Sequence, residues 1–97
     1  MITHIVLFKL TEPSSENLAA TRAKLLSMDR EIPFLRHLEA GMDVIRSERS
    51  CDIALVTKFD SLEDLQAYQV HPYHAGVVVP HMKSVCSSIH AVDYESE

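Results

Sequence analysis

Two imidazoles and two phenols occur within one short stretch of the chain, Tyr68–His74. A neutral imidazole can take a proton from a carbon next to a carbonyl, and a phenol or a second imidazole can donate a hydrogen bond to the enolate oxygen. Pro72 fixes its own backbone angle and disfavours a helical conformation at His71, so an arriving helix must stop or bend here. The stretch therefore predicts a polar corner that holds Tyr68 and His74 at the mouth of a pocket.

The same histidines also fit a structural role at the end of a helix. Histidine side chains there can hydrogen-bond the carbonyl groups that the helix leaves open. Either His71 or His74 can be the ring that faces inward. A metal site made of His71, His74 and His81 is disfavoured, because histidines around a proline break need not converge and no carboxylate lies at a set spacing. We therefore predict neither a metal nor a cofactor.

A further histidine lies on the first predicted strand. Residues 2–10 alternate so that His4, Val6 and Phe8 share one face, while the opposite face is also largely apolar. A strand that is apolar on both faces is typical of the centre of a sheet. We predict that His4 faces the same layer as Tyr68, with Val6 and Phe8 beside it in the wall of the pocket.

The remaining segments place these residues in an α+β fold. We predict a helix from Ser15 to the residue before Pro33, strands over residues 34–45 and 51–59, a helix from residues 60–64 to Val70, one or two helical turns within residues 73–82, and a final strand over residues 85–94. The order βαββαβ is typical of a ferredoxin-like domain, a four-stranded antiparallel sheet covered on one side by helices. Residues 1–97 are too few for two cores and form one domain.

The uncovered face of the predicted sheet is apolar. Ile5 and Leu7 on the first strand join Ala54 and Val56 on the third. Monomeric proteins rarely expose a contiguous apolar patch of this width. We therefore expect the chain to associate with itself through this face.

Composition excludes several partners. The net charge is −5 and the lysines and arginines are scattered, whereas nucleic-acid binding depends on a basic patch. Neither a membrane-spanning run nor a secretory signal is found, so a cytoplasmic location is expected. Cys51 and Cys86 lack a metal-binding spacing and are predicted to be free thiols.

Several motifs in order resemble one known family. They are His4–Leu10, Ile32 with Pro33, Gly41 with Asp43, Asp52–Phe59, Leu65 with Tyr68, His71 with Pro72 and His74, and Val92–Tyr94. Together they resemble the stress-responsive dimeric α/β-barrel (Dabb) family over nearly the whole chain. The resemblance implies a homodimer in which two ferredoxin-like sheets close into a barrel with helices outside.

One plant member of that family, a polyketide cyclase, is similar at the polar corner. Its catalytic residues are matched here by His4, Tyr68 and His74, and a further pocket position falls at Asp52. The resemblance implies binding of a small carbonyl or phenolic molecule, with catalytic roles for the first three residues and ligand contacts from Asp52 and His71. Three classes of function stay open: a cofactor-independent cyclase, isomerase or monooxygenase, a binding protein without catalysis, and a structural protein that forms a stress-stable oligomer.

Overall fold

The computed structural model describes residues 1–96. Its elements are strand β1 (Ile2–Leu10), helix α1 (Ser15–Leu26), short helix α2 (Met28–Glu31), strands β2 (His37–Met42) and β3 (Ile53–Phe59), helix α3 (Leu62–Val70), a π-helical segment (His74–Val78), helix α4 (Val79–Val85) and strand β4 (Cys86–Glu95). The strands form an antiparallel sheet in the order β2-β3-β1-β4. The predicted α+β ferredoxin-like fold is confirmed.

The core lies between one face of the sheet and the helices. Its buried side chains are Val6, Phe8, Leu10, Leu25, Met28, Ile32, Ala40, Ile53, Leu55, Phe59, Leu65, Tyr68, Val78 and Met82. Burying a large aliphatic or aromatic side chain contributes about 1.5–3 kcal/mol, so this layer supplies most of the driving force for folding. None of the helices in the part of the chain that the structure describes is long and apolar enough to cross a bilayer.

Serine caps begin two of the helices, as the sequence predicts. The Ser14 hydroxyl accepts from the Asn17 N–H at 3.2 Å, and the Ser61 hydroxyl accepts from the Asp64 N–H at 3.2 Å. Each bond satisfies a backbone donor that has no partner within its helix. The first helix departs from prediction because it is interrupted at Ser27, whose hydroxyl donates to a carbonyl of the preceding turn.

Strand β2 is shorter than predicted, and the residues after it form a loop. The Asp43 carboxylate accepts from the Arg46 N–H at 2.6 Å, and Arg46 has a positive φ of 58°. These two features turn the chain away from the sheet before it can pair further with β3. Val44 and Ile45 consequently lie in solvent and are 86% and 75% exposed. The alternation of apolar residues thus predicted a longer strand than the structure contains.

The segment after Pro72 is more helical than predicted. Residues 72–85 are helical throughout, first in a π-helical segment in which the Val79 N–H donates to the His74 carbonyl, and then in α4. Pro80 has no N–H to donate, but it lies where the π register changes to the α register. Burial of Val78 and Met82 holds the segment in this form despite its β-branched run.

Candidate functional site

A cavity of about 250 Å³ lies between β1, β4 and the helical layer. It is lined by His4, Val6, Phe8, Leu25, Leu55, Tyr68, Gln69, His74, Val78, Val79, Met82, Lys83, Ile89 and Ala91. The lining thus brings together His4, Tyr68 and His74, with the predicted wall residues Val6 and Phe8 among them. Most of the wall is apolar, and its exposed members, such as Lys83 and Ile89, mark where the cavity meets solvent.

His4 is positioned by a carboxylate on the neighbouring strand. The antiparallel register places His4 opposite Asp93, and the imidazole Nδ1 is hydrogen-bonded to the Asp93 Oδ1. A carboxylate that is ionised can only accept, so Nδ1 carries the proton and donates it. The ring is almost fully buried. When the ring is neutral with its proton on Nδ1, the lone pair lies on Nε2, and this nitrogen can act as a base.

Tyr68 forms the central part of the wall between the two histidines. Its ring centroid lies 5.8 Å from that of His4 in an edge arrangement and 4.2 Å from that of His74. The side chain is fully buried, and its hydroxyl donates to the Met28 sulfur at 3.7 Å. Burial raises the pKa of Tyr68 well above its ordinary value, so the phenol stays neutral.

His74 lies on the opposite wall, where the π-helical segment begins. Its Nδ1 donates to the Gln69 carbonyl at 3.1 Å, which leaves Nε2 as the acceptor of the neutral ring. His74 thus hydrogen-bonds a carbonyl at the end of α3 and also lines the cavity. Burial lowers the pKa of His74, the bond to the Gln69 carbonyl partly opposes this shift, and the nearby His4 and His71 lower the pKa further.

We expect the pKa of His74 to lie below its ordinary value of 6.5, because burial penalises the charged ring. Around and below pH 6.5 the His74 ring is then neutral in a larger fraction of folded molecules than of unfolded ones, so the unfolded chain binds more protons than the folded one in that range. The contribution of His74 to stability is therefore present above pH 6.5 and is lost as the pH falls through the folded pKa. Proton NMR titration of the ring, assigned with His74→Gln, measures this; a value of 6.5 or higher would contradict the expectation.

His71 does not line the cavity. Its Nδ1 accepts from the Tyr73 N–H at 3.1 Å, and its ring lies edge-on to Phe34 with the centroids 6.2 Å apart. The side chain thus serves as a cap for the helical segment that follows the proline break. Of the two histidines left open by the sequence, His74 is the inward one, and the structure does not bring the predicted ligand contact of His71 to the cavity.

Asp52 also lies away from the cavity, contrary to expectation. It is buried near the other end of β1, where its Oδ2 accepts from the Leu10 N–H at 2.7 Å and its Oδ1 accepts from the Arg46 Nη2 at 2.7 Å. Both carboxylate oxygens therefore have structural partners. Asp52 ties the β2–β3 loop to the central strand and does not contact the histidine-lined space.

Asp93 belongs to the candidate site through its contact with His4, although it is not among the predicted site residues. It lies on the same face of β4 as Ala91 and Ile89, among residues that are mostly exposed. The sequence indicates Asp93 only as a carboxylate on the same face of the last strand as two apolar residues. Its role as the partner of His4 depends on the pairing register of β4 with β1, which the sequence does not give.

Metal binding has no geometric basis in residues 1–96, since no three His, Cys, Asp or Glu side chains there are grouped to hold an ion. Cys51 and Cys86 are free thiols, as predicted. The polar side chains that line the cavity are two imidazoles, the Tyr68 phenol, the Gln69 amide and the Lys83 ammonium.

Comparison with known proteins identifies the family. A family model described as the stress-responsive A/B barrel domain (Dabb) matches residues 2–96. The chain belongs to this family. A stress-response A/B barrel domain-containing protein of Arabidopsis thaliana is 31% identical over 101 residues, which cover 97% of this chain and 36% of that relative. The chain thus spans little more than a third of the length of this Dabb relative.

Two solved structures show how the fold recurs. A dimeric protein of unknown function with a ferredoxin-like fold from Bacteroides fragilis matches with a TM-score of 0.82 and 28% identity, covering 98% of this chain and 95% of that one. The hydroxynitrile lyase of Passiflora edulis matches with a TM-score of 0.82 and 16% identity, covering 96% and 90%. At 16% identity, the similarity to the lyase shows a shared fold and nothing more.

Proposed function

We propose that this Dabb domain binds a small carbonyl compound in the cavity and that His4 removes a proton from the carbon next to the carbonyl. The observation that carries the proposal is the hydrogen bond between His4 and Asp93, which fixes the proton on Nδ1 and leaves Nε2 basic. A histidine needed only for packing requires no carboxylate behind it. The apolar wall supports binding of the body of the ligand.

The proposed step is a proton transfer that needs no oxidant. The C–H bond of the ligand breaks, its proton forms a bond to the His4 Nε2, and the electron pair moves into the carbonyl to give an enolate. Return of a proton to the same carbon restores the ligand, and solvent exchange at Nε2 makes the returned proton a solvent one. His74 faces the same space, and its Nε2 is the second group able to move a proton there.

Phenylacetone in D₂O tests this proposal, because it carries acidic C–H groups beside a ketone on a small apolar body. We expect saturable changes in the NMR signals of the Val6, Leu55 and Ala91 methyl groups, together with loss of the ligand's α-proton signals faster than in buffer at the same pH. Binding without faster exchange would overturn the catalytic part of the proposal. No binding at millimolar ligand would overturn all of it.

A purely structural role is the alternative that the cavity argues against. A protein selected only for a stable oligomer gains by filling such a space, since voids reduce stability. The cytoplasmic location and the absence of a nucleic-acid partner, inferred from the sequence, stay predictions.

We also propose that the working form is a homodimer joined through the uncovered face of the sheet. On this face Leu7 of β1 and Val92 of β4 are 40% and 55% exposed, and Ile5 is the register partner of Val92. The relative from Bacteroides fragilis is dimeric and has the same fold. Burial of this apolar area is the expected driving force for association.

Leu7→Asp should dissociate the dimer, because an unpaired carboxylate buried in an apolar interface costs several kcal/mol. Light scattering behind a sizing column should give twice 10.9 kDa for the unaltered protein at micromolar concentration and 10.9 kDa for the variant. Leu62→Asp is the matched control, since Leu62 is 55% exposed in the first turn of α3 and should leave the dimer intact. A monomeric unaltered protein would contradict the proposed dimer.

A further inference from the structure

Lys83 introduces a positive charge at the mouth of the cavity. It is exposed, lies in the last turn of α4, and belongs to a lining that contains no Asp or Glu. The chain as a whole is acidic, with 14 Asp and Glu against 9 Lys and Arg. The charged side chain at the cavity mouth is thus opposite in sign to the net charge of the protein.

The ammonium group of Lys83 has no carboxylate partner among the ion pairs of residues 1–96. Three donors deeper in the wall already have partners: His4 with Asp93, Tyr68 with Met28, and His74 with Gln69. An anionic group of a ligand would therefore find its charged donor at Lys83.

We propose that the ligand carries a carboxylate that Lys83 binds, so that the ligand class is a small keto acid with an apolar body. This inference rests on the proposed function. The apolar wall holds the body, the carbonyl lies near His4, and the carboxylate stays at the mouth. At that position the carboxylate keeps part of its hydration, so pairing with Lys83 avoids most of the desolvation cost of a buried ion pair. A flexible ammonium suits such a site because it adapts its position to the ligand.

Lys83 has a second role that the test must separate from ligand binding. A cation in the last turn of a helix interacts favourably with the helix dipole and the free carbonyls there. Loss of that interaction changes the stability of the folded protein. It does not change the relative affinity for a charged ligand and a neutral ligand of the same shape.

Phenylpyruvate and phenylacetone form the matched pair of probes, because they differ by a carboxylate in place of a methyl group. NMR titration of the cavity methyl groups should give about tenfold tighter binding of phenylpyruvate, near the lower end of the range for a hydrogen bond to a charged group, because the pair keeps part of its hydration. Lys83→Gln should abolish this preference and leave phenylacetone binding within about twofold of its original value, since a neutral ketone does not use the charge. Lys24→Gln, which makes the same change of charge away from the cavity, should keep the preference.

Two outcomes would overturn the inference and leave the proposed function intact. One is equal binding of the two probes by the unaltered protein, and the other is a preference for phenylpyruvate that survives in Lys83→Gln. Failure of both probes to bind would instead overturn the proposed function, and the inference with it. Binding of phenylacetone by Lys83→Gln also shows that this variant is folded.

Discussion

Replacing His4 with glutamine should slow the exchange of the α-protons of bound phenylacetone by about 10²- to 10⁴-fold, the usual contribution of a general base. Glutamine can still donate from its amide to the Asp93 carboxylate, so the strand pairing and the fold should persist. What it lacks is the lone pair of a basic nitrogen. The measurement is the decay of the α-proton NMR signal in D₂O at saturating ligand.

His37→Gln is the matched control for this experiment. His37 lies exposed on β2, where its Nε2 is 3.2 Å from the Glu39 carboxylate, and it does not line the cavity. The same substitution there should leave the exchange rate unchanged. Asp93→Asn should also slow exchange, by about tenfold or more, because the NH₂ group of asparagine can donate to Nδ1 and so place the ring proton on Nε2. If His4→Gln binds phenylacetone and exchanges it at the original rate, His4 is not the base.

Replacing Tyr68 with alanine should lower the free energy of unfolding by about 3–5 kcal/mol, the usual range for deleting a fully buried aromatic ring. The ring is 0% exposed and packs on Phe59 with centroids 5.0 Å apart, as well as on both cavity histidines. Its loss would enlarge the cavity and remove its central wall. Urea denaturation at a fixed protein concentration measures the change, since association makes stability depend on concentration.

Tyr68→Phe separates the ring from its hydroxyl. This variant keeps the packing and removes only the bond to the Met28 sulfur, so the free energy of unfolding should fall by no more than about 1 kcal/mol. Phenylacetone exchange should also persist, because the hydroxyl is engaged with sulfur and not with the ligand. A large loss of exchange in Tyr68→Phe, with binding retained, would show instead that the hydroxyl turns toward the ligand.

The position of His74 depends on backbone geometry that no single residue specifies. Helix α3 ends just before Pro72, and the π-helical segment that follows sets the direction of the next turn. A π-helical turn inside a helix is rare and is frequently found at functional sites. Here the π-helical segment begins at His74, which lines the same cavity as His4. The backbone geometry of this segment therefore decides whether the His74 ring reaches the cavity.

The sequence alone determined the order of the main elements and the residues that share a strand face with His4. Side chains alternate along a strand, so the sequence places His4 on the same face as Val6 and Phe8 without knowledge of its neighbours. The three-residue spacing between Leu65 and Tyr68 likewise placed Tyr68 on the apolar face of its helix. The proline rule located the end of α3. These features depend on residues close together in the chain, and their physical causes are local.

The tertiary structure decided what each of these residues contacts. Asp93 is 89 residues from His4 in sequence, and only the pairing of β4 with β1 makes it the partner of that histidine. The resemblance to the family implied that Asp52 contacts a ligand. In the structure, Arg46 of the β2–β3 loop donates a hydrogen bond to the Asp52 carboxylate instead. The helix continued past Pro80 because burial of its apolar face outweighed a weak local preference. Contacts between distant segments depend on register and packing, which a linear pattern does not contain.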